Sequence, residues 1–377
     1  MINVVIDKDI MFAEEAFSSL GNARLIPGRN ICKNDVLDAD VLITRSITKV
    51  NEKLLRGTKI KFVGTATIGN DHIDLEYLRS QNIMFADAAG CNADAVVEYV
   101  FTAILKLAVE DEFTLKGKSI GIIGVGNIGS RVARLSSSLG MNVLKNDPPL
   151  KRLTHREDYL ELEEVLNADI VTLHVPLIIE GEDKTYHLFG NKTLNKLKDG
   201  CILINASRGP VIDNIELEKI IEKKKLRVIV DVWEDEPLIN KSLLKKTKIG
   251  SPHIAGYSFE GKVNGTVMIY KALCNFLNVK ENWTPSYPSV KNNELIVTGE
   301  NREESLNALF DNIYNINNDD EMMRRILGLN DDEANKYFDS LRNDYPLRRE
   351  FSNFKIKITN NKSGLENILK NFRFQII

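Results

Sequence analysis

The segment Ser119-Ile-Gly-Ile-Ile-Gly124-Val-Gly126-Asn-Ile-Gly129-Ser130 decides the fold. Its first five residues are an apolar run suited to a buried strand. Glycines 124, 126 and 129 follow in the spacing GxGxxG, and Ile128–Leu139 continues with helical periodicity. Strand, glycine turn and helix, in that order, are the setting in which this spacing binds a dinucleotide. The reason is steric. Gly124 makes the tight turn, Gly126 lets a pyrophosphate approach the backbone, and Gly129 lets helix and strand pack closely. The helix start offers N–H groups and positive dipole charge to the phosphates. The pattern asks for an acidic residue ~20 positions further on, at the end of the next strand. Asp147 closes Asn142-Val-Leu-Lys-Asn-Asp147. A carboxylate there accepts hydrogen bonds from ribose hydroxyls and repels a 2′-phosphate, which favours NAD over NADP. Lys151 and Arg152, close by, pull the other way.

Outward from this loop, strand and helix alternate in both directions. Upstream, strand-like runs lie at Val4–Ile6, Val41–Ile43, Lys61–Val63 and Ile83–Phe85, with amphipathic stretches at Ala13–Leu20 and Ile73–Arg79. Downstream, further strands are expected at Asn142–Leu144, Ile170–Leu173, Ile202–Ile204 and Val228–Val230, with a helix at Ile215–Lys223. Two β/α series imply two doubly wound, parallel-sheet α/β domains. Asp94–Leu107 and Glu260–Phe276 read as long helices between them. From about Asn282 the texture changes: Asn, Asp and Arg become frequent and Gly sparse. Strands Leu295–Val297 and Phe354–Ile358, with helices Glu304–Tyr314 and Asp331–Arg342, predict one small α+β domain there. The 377 residues amount to about two and a half ordinary domains, and this tail is the half.

Composition narrows the function classes. Lys+Arg is 50 against Asp+Glu 53, so the net charge is −3 and a broad nucleic-acid-binding surface is not expected. Hydrophobic residues at 43% supply a core, so a disordered chain is excluded. No stretch approaches the ~20 apolar residues of a membrane span. The N-terminal run Met1–Asp7 alternates like a strand and has neither a basic leader nor an apolar signal core. Cys32, Cys91, Cys201 and Cys274 are scattered, which predicts reduced thiols in a cytosolic protein rather than disulfides or zinc.

Three strand ends carry acid–base and anion-binding candidates. Asn205-Ala-Ser-Arg208-Gly follows the strand Ile202–Ile204, and an arginine there can clamp a carboxylate with two parallel N–H bonds. Asp231-Val-Trp-Glu-Asp-Glu236-Pro follows Val228–Val230. Ser251-Pro-His253-Ile-Ala-Gly256-Tyr257 comes next, and a histidine paired with a carboxylate is a general acid–base. Among the other histidines, His72 lies in a turn, His155 and His187 look exposed, and His174 precedes Pro176 at a strand end. None has helix-spaced partners, so no metal site is expected.

Taken in order, GxGxxG, Asp147, His174-Val-Pro176, Asn205-Ala-Ser-Arg208-Gly, Asp231…Glu236-Pro and Pro252-His253 resemble the NAD-dependent D-isomer-specific 2-hydroxyacid dehydrogenases across roughly residues 1–285. Longer stretches resemble one branch of that family. They are Arg45-Ser-Ile-Thr-Lys-Val-Asn51, Gly64-Thr-Ala-Thr-Ile-Gly-Asn-Asp-His-Ile-Asp74, Gly90-Cys-Asn-Ala-Asp-Ala-Val-Val-Glu-Tyr-Val100, Asp147-Pro-Pro and Pro252-His-Ile-Ala-Gly-Tyr-Ser-Phe-Glu-Gly-Lys262.

The resemblance implies a small phosphorylated 2-hydroxy acid as substrate. It implies His253 as proton acceptor, Glu236 as its orienting partner, and Arg208 as carboxylate clamp. NAD contacts would come from Gly124, Gly126, Asn127, Ile128, Gly129, Asp147, Val175, Ala206, Ser207, Asp231 and Gly256. Val175 departs from the pattern, since relatives often carry Thr there, so only its backbone could serve. Ser46, Thr67 and Tyr257 would touch substrate, and Arg45 is the candidate for its phosphate because a dianion suits a guanidinium. The implied architecture is a flavodoxin-like substrate domain (1–93 and 258–285), a Rossmann NAD domain (94–257) and a C-terminal dimerisation domain (286–377) of a cytoplasmic homodimer. Two alternatives stay open: a family member acting on phosphoglycerate or hydroxypyruvate, and a non-catalytic NAD-sensing corepressor on the same fold.

Overall fold

Runs of β-branched and aliphatic residues set the strands, and the computed structural model describes residues 1–298, 301–360 and 364–377. Two compact units result: residues 1–93 with 258–289, and 94–257 with 290–377. The first two boundaries fall at the starts of two long helices, Ala93–Glu110 and Phe259–Leu277, and the third lies in the irregular stretch after the second helix.

The first unit holds β1 (Ile2–Asp7), β2 (Gly21–Ile26), β3 (Val41–Thr44), β4 (Phe62–Thr65) and β5 (Met84–Asp87). They pair in parallel in the order β2-β1-β3-β4-β5, the flavodoxin-like order. Alternate side chains leave opposite faces. Val4 and Ile6 join one buried cluster, whereas Val5, with Leu42 and Val63 of the neighbouring strands, joins another. Both faces are therefore covered, as a parallel sheet requires. Helix Phe259–Leu277 begins where the Ser258 hydroxyl accepts the Gly261 N–H at 2.8 Å. It lays Ile269, Tyr270 and Leu273 on the first of those faces.

The second unit holds β6 (Ser119–Ile123), β7 (Asn142–Asn146), β8 (Ile170–Leu173), β9 (Ile202–Asn205), β10 (Arg227–Val230) and β11 (Ile249–Gly250). Their order is β11-β10-β9-β8-β6-β7, all parallel, and Tyr159 bridges the outer side of β7 at Lys145. The strand order reverses between β6 and β8, and open α/β sheets bind ligands at such a reversal.

The C-terminal segment adds β12 (Glu294–Thr298), β13 (Lys355–Asn360) and β14 (Gln375–Ile376), a three-stranded parallel sheet in that order. The expected pairing of Leu295–Val297 with Phe354–Ile358 is the β12–β13 ladder. This α+β part packs within the second unit and shares its core. Phe101 of helix Ala93–Glu110 meets Phe372 edge-on at 5.1 Å, and Phe310 meets Phe351 at 4.4 Å. So short a piece buries too little surface to hold such a set of aromatics alone, so it draws on the neighbouring sheet domain.

Candidate active site

In the second unit every segment singled out from the sequence lies at the carboxyl end of a strand. Gly124–Gly129 follow β6, Asp147 follows β7, His174 and Val175 follow β8, Ala206–Arg208 follow β9, Asp231–Glu236 follow β10, and Ser251–Tyr257 follow β11.

The glycine loop has three different local demands. Gly124 has φ +86°, and a Cβ there would meet the His174 carbonyl oxygen at 2.7 Å. At Gly129 a Cβ would lie 2.0 Å from the Gly124 carbonyl oxygen. At Gly126 it would project into open space. Thus Gly124 and Gly129 are needed for the turn itself, whereas the space above Gly126 suits an approaching phosphate. Helix Gly129–Ser138 starts at this point, and its first N–H groups have no intrahelical acceptor. Asp147 supports the same loop. Its Oδ2 accepts the Val125 N–H at 2.7 Å, while Oδ1 accepts the Leu150 N–H at 3.0 Å and caps the helix Pro148–Thr154. The cations nearby are committed elsewhere: Lys151 to Glu161 at 2.7 Å, Arg152 to Glu182 and Asp183. These residues fit a dinucleotide without a 2′-phosphate.

His174 lines the turn as a neutral group. Its Nε2 meets Thr172 Oγ1 at 3.0 Å, Nδ1 is shielded from solvent, and burial pushes the ring pKa down to about 3. The loop after β9 is braced by Asn205, whose Oδ1 accepts both the Ser207 N–H (3.1 Å) and hydroxyl (2.8 Å). Asn205 Nδ2 donates to the Arg208 carbonyl at 3.0 Å, closing the turn that presents Arg208. The Ser207 hydroxyl is therefore used inside the turn, and only its backbone remains for a cofactor. Gly209 touches the next loop so closely that a Cβ would overlap the Trp233 carbonyl oxygen at 1.8 Å.

The acid–base pair is assembled. His253 Nδ1 and Glu236 Oε2 lie 2.7 Å apart, and Glu236 Oε1 accepts the Trp233 N–H at 2.7 Å. Burial pushes the Glu236 carboxyl upward. The His253 charge and hydrogen bond, the Trp233 N–H and the Arg342 charge outweigh it and hold the group below the usual carboxylate range. His253 itself sits at φ +58°, a conformation rare outside glycine, and its N–H donates to the Asp231 carbonyl at 2.7 Å.

Asp231 differs from expectation. Its carboxylate is 2% exposed and is turned into the protein. It accepts the Ser251 hydroxyl (2.6 Å) and the Ile254 (2.8 Å) and Ala255 (3.0 Å) N–H groups. Burial holds its pKa above the ordinary value, against the His253 charge and those three bonds. It is the staple of the histidine loop, not a group displayed toward a cofactor.

In the first unit Ser46 follows β3 and Thr67 follows β4, adjacent strands. Ser46 is exposed; Thr67 Oγ1 is 2.9 Å from Thr65 Oγ1, which also meets His72 Nε2 at 3.1 Å. Arg45 is a correction. Its Nε and Nη2 donate to both oxygens of the fully buried Asp7 (2.7 and 3.2 Å), and Nη2 also donates to Asp9 at 2.8 Å. The guanidinium expected to take a phosphate is already neutralised by two carboxylates.

Sequence reading also missed partners. His187, expected to be exposed, meets Glu234 at 2.6 Å. Asn205 had a usable signal, because an Asn closing a strand commonly braces an Asx turn. Among the described residues no cluster of His, Cys, Asp and Glu is placed to hold a metal ion, and no helix is long and apolar enough to cross a membrane.

Comparison with known proteins agrees with this geometry. Residues 105–255 match the family described as D-isomer specific 2-hydroxyacid dehydrogenase, NAD binding domain. Residues 287–370 match a domain of unknown function, DUF3410. Erythronate-4-phosphate dehydrogenase of Proteus mirabilis is 42% identical, over 95% of this chain and 96% of the relative. That of Psychromonas ingrahamii is 41% identical, over 98% and 96%. Among solved structures, D-lactate dehydrogenase from Aquifex aeolicus, complexed with NAD and lactic acid, is 27% identical with TM-score 0.62, over 73% of this chain and 96% of that one.

Proposed function

The chain belongs to the erythronate-4-phosphate dehydrogenase family of D-isomer-specific 2-hydroxyacid dehydrogenases, and we propose that it oxidises 4-phospho-D-erythronate at C2, with NAD as acceptor. The product is (R)-3-hydroxy-2-oxo-4-phosphooxybutanoate, on a route to pyridoxal 5′-phosphate. The observation that carries the reading is the 2.7 Å His253–Glu236 pair, in a chain matched almost end to end by these relatives.

Each role follows from the chain's own chemistry. Glu236 is ionised and accepts from His253 Nδ1, which fixes the tautomer and leaves Nε2 as the basic nitrogen. Nε2 takes the proton of the C2 hydroxyl. Glu236 then stabilises the imidazolium at short range. Arg208, on its braced turn, clamps the substrate carboxylate and polarises the forming carbonyl. Ser46, Thr67 and Tyr257 contribute hydroxyls toward the substrate. Gly124–Gly129 would hold the pyrophosphate, and Asp147 the adenosine ribose; Val175, Ala206, Ser207 and Gly256 complete the cradle through backbone atoms. When bound, NAD supplies the acceptor for the C2 hydride. The intact acid–base pair favours turnover over a purely NAD-sensing role.

We further place the enzyme in the cytoplasm as a homodimer formed through residues 286–377. The exposed Ile296 on β12 supports a contact there.

Formation of NADH from 4-phosphoerythronate is the test, run beside 3-phosphoglycerate and unphosphorylated erythronate. Turnover of the first alone is expected. Activity confined to the other two acids would overturn the assignment.

A further inference from the structure

The C-terminal segment reaches the loop that carries His253. Asp320 Oδ1 accepts the Gly250 N–H at 2.7 Å, at the last residue of β11. The Tyr345 ring meets Tyr257 edge-on at 5.8 Å, and the Tyr345 hydroxyl donates to Asp319 at 3.0 Å. Arg348 makes the central contact. It is 6% exposed, and its Nη2 donates to the Ala255 carbonyl at 2.9 Å and to the Ala95 carbonyl at 2.6 Å. Its guanidinium carbon lies 4.2 Å from the centre of the Tyr314 ring, whose hydroxyl donates to Asp319 at 2.7 Å. A buried guanidinium with one stacked face and two fixed acceptors has little freedom to turn.

Both polar backbone groups of Ala255 are thus held by charged side chains. Its N–H goes to Asp231 Oδ2 at 3.0 Å, and its carbonyl accepts from Arg348 at 2.9 Å. The second bond also settles the next residue. A trans peptide is planar, and its C=O and N–H point in opposite directions. The Ala255–Gly256 peptide is trans. With the Ala255 carbonyl turned toward the buried Arg348, the Gly256 N–H points away from it. Gly256 is one of the backbone groups assigned above to the cofactor cradle, three residues after His253.

We propose that Arg348 is a positioning residue for the nicotinamide half of NAD: by holding the Ala255 carbonyl it aims the Gly256 N–H at the cofactor and fixes the loop that presents His253. His253 takes its proton from the hydroxyl on the carbon that loses the hydride. Its loop therefore adjoins the nicotinamide, while the Gly124–Gly129 turn takes the pyrophosphate. In this way the segment, besides the dimer contact proposed for it, shapes one end of the cofactor site from inside its own chain. The role rests on the dehydrogenase reading given above.

NAD and ADP-ribose separate this role from general support of the fold. Both carry the adenosine and the pyrophosphate, and NAD alone carries the nicotinamide. In Arg348→Met, calorimetric titration is expected to show NAD bound about fivefold more weakly or worse, with ADP-ribose within about twofold of the unaltered chain. With 4-phosphoerythronate, kcat should fall about tenfold. Phe372→Ala is the control. It takes a ring from the core of the same segment, where its partners are Phe101, Phe310 and Phe351. It should move neither affinity by more than about twofold. Equal losses for NAD and ADP-ribose in Arg348→Met would overturn the proposal and leave Arg348 a support of the fold. So would unchanged affinity for both, or the same selective loss of NAD in Phe372→Ala. If Arg348→Met does not fold, Arg348→Gln carries the same comparison with the same deciding outcomes, because its side chain is too short to hold both carbonyls. The binding comparison needs no substrate. Should the unaltered enzyme fail to oxidise 4-phosphoerythronate, the substrate assignment falls, and NAD against ADP-ribose still decides the role of Arg348.

Discussion

The two open sheets obey one topological rule and put opposite chemistry on it. At the strand ends of the second unit, carboxylates do the organising. Asp147 takes two backbone N–H groups, Asp231 takes three donors of the histidine loop, and Glu236 takes Trp233 and His253. At the strand ends of the first unit stand the hydroxyls of Ser46, Thr65 and Thr67, and the neighbouring Arg45 is neutralised by Asp7 and Asp9. The difference separates two tasks. Moving a proton needs a charged group fixed near another titratable group. Selecting a substrate needs donors and acceptors of defined direction, and neutral ones lose less on desolvation.

The largest break in this comparison comes from the moving proton. His253→Gln removes the base and leaves the Gly124–Gly129 turn untouched. A loss of about 10³-fold in kcat is expected, with NAD affinity unchanged. Stopped-flow measurement of NADH formation checks it, and a loss below about tenfold would remove His253 from the chemistry.

Arg45 gives the counterpart in the first unit. If its work is to neutralise Asp7, Arg45→Ala leaves a buried carboxylate uncompensated and costs about 3 kcal/mol of stability. Urea unfolding measures that cost. The KM for the phosphorylated acid should stay within about twofold. A tenfold rise in KM with no loss of stability would return Arg45 to the role of phosphate ligand.

Gly126 sharpens the reading of the glycine turn. A methyl group there meets open space, so Gly126→Ala should unfold at the same temperature as the unaltered chain. It occupies the path of the pyrophosphate, so NAD should bind at least about tenfold more weakly, about 1.4 kcal/mol. Calorimetric titration with NAD would show this, and unchanged affinity would mean that the phosphates bind elsewhere.

Much of this was legible from the sequence because both sheets are parallel and buried on both faces. Continuous apolar runs such as Val41–Ile43 and Ile202–Ile204 then announce strands, and residues just past them announce the site. Strands that escaped are of another kind. Gly21–Ile26 is an edge strand with only one of its six residues fully buried, and Ile249–Gly250 and Gln375–Ile376 are two residues each. The roles that escaped are contacts across long sequence separation. Asp231 carries the residue type of a cofactor ligand, and only the folded loop reveals that Ser251, Ile254 and Ala255 consume its oxygens. Arg45 was read from its neighbour Ser46, while its partner Asp7 lies on the adjacent strand β1. Sequence placed the groups at the right edge of each sheet; which charges remain for a ligand is decided by pairs that only tertiary structure forms.

The smallest expected effect tests whether the second unit gives up stability to organise its loop with carboxylates. Asp319, on the C-terminal segment, accepts the Tyr314 hydroxyl at 2.7 Å and the Tyr345 hydroxyl at 3.0 Å. Burial pushes its carboxyl pKa up to about 6, against those two bonds and the Arg348 charge. An unfolded aspartate titrates near 3.9. Between about pH 4 and 6 the folded chain therefore retains a proton that the unfolded chain has lost, and the group contributes stability in acid that disappears as pH rises through about 6. Asp319→Asn supplies a permanently neutral acceptor to both tyrosines. It should raise stability by about 1 kcal/mol at pH 7.5 and leave it nearly unchanged at pH 5. Urea midpoints at the two pH values decide. A destabilised variant at pH 7.5 would mean that the ionised carboxylate stabilises this contact, so that the segment holds the Tyr257 loop by charge as well as by packing.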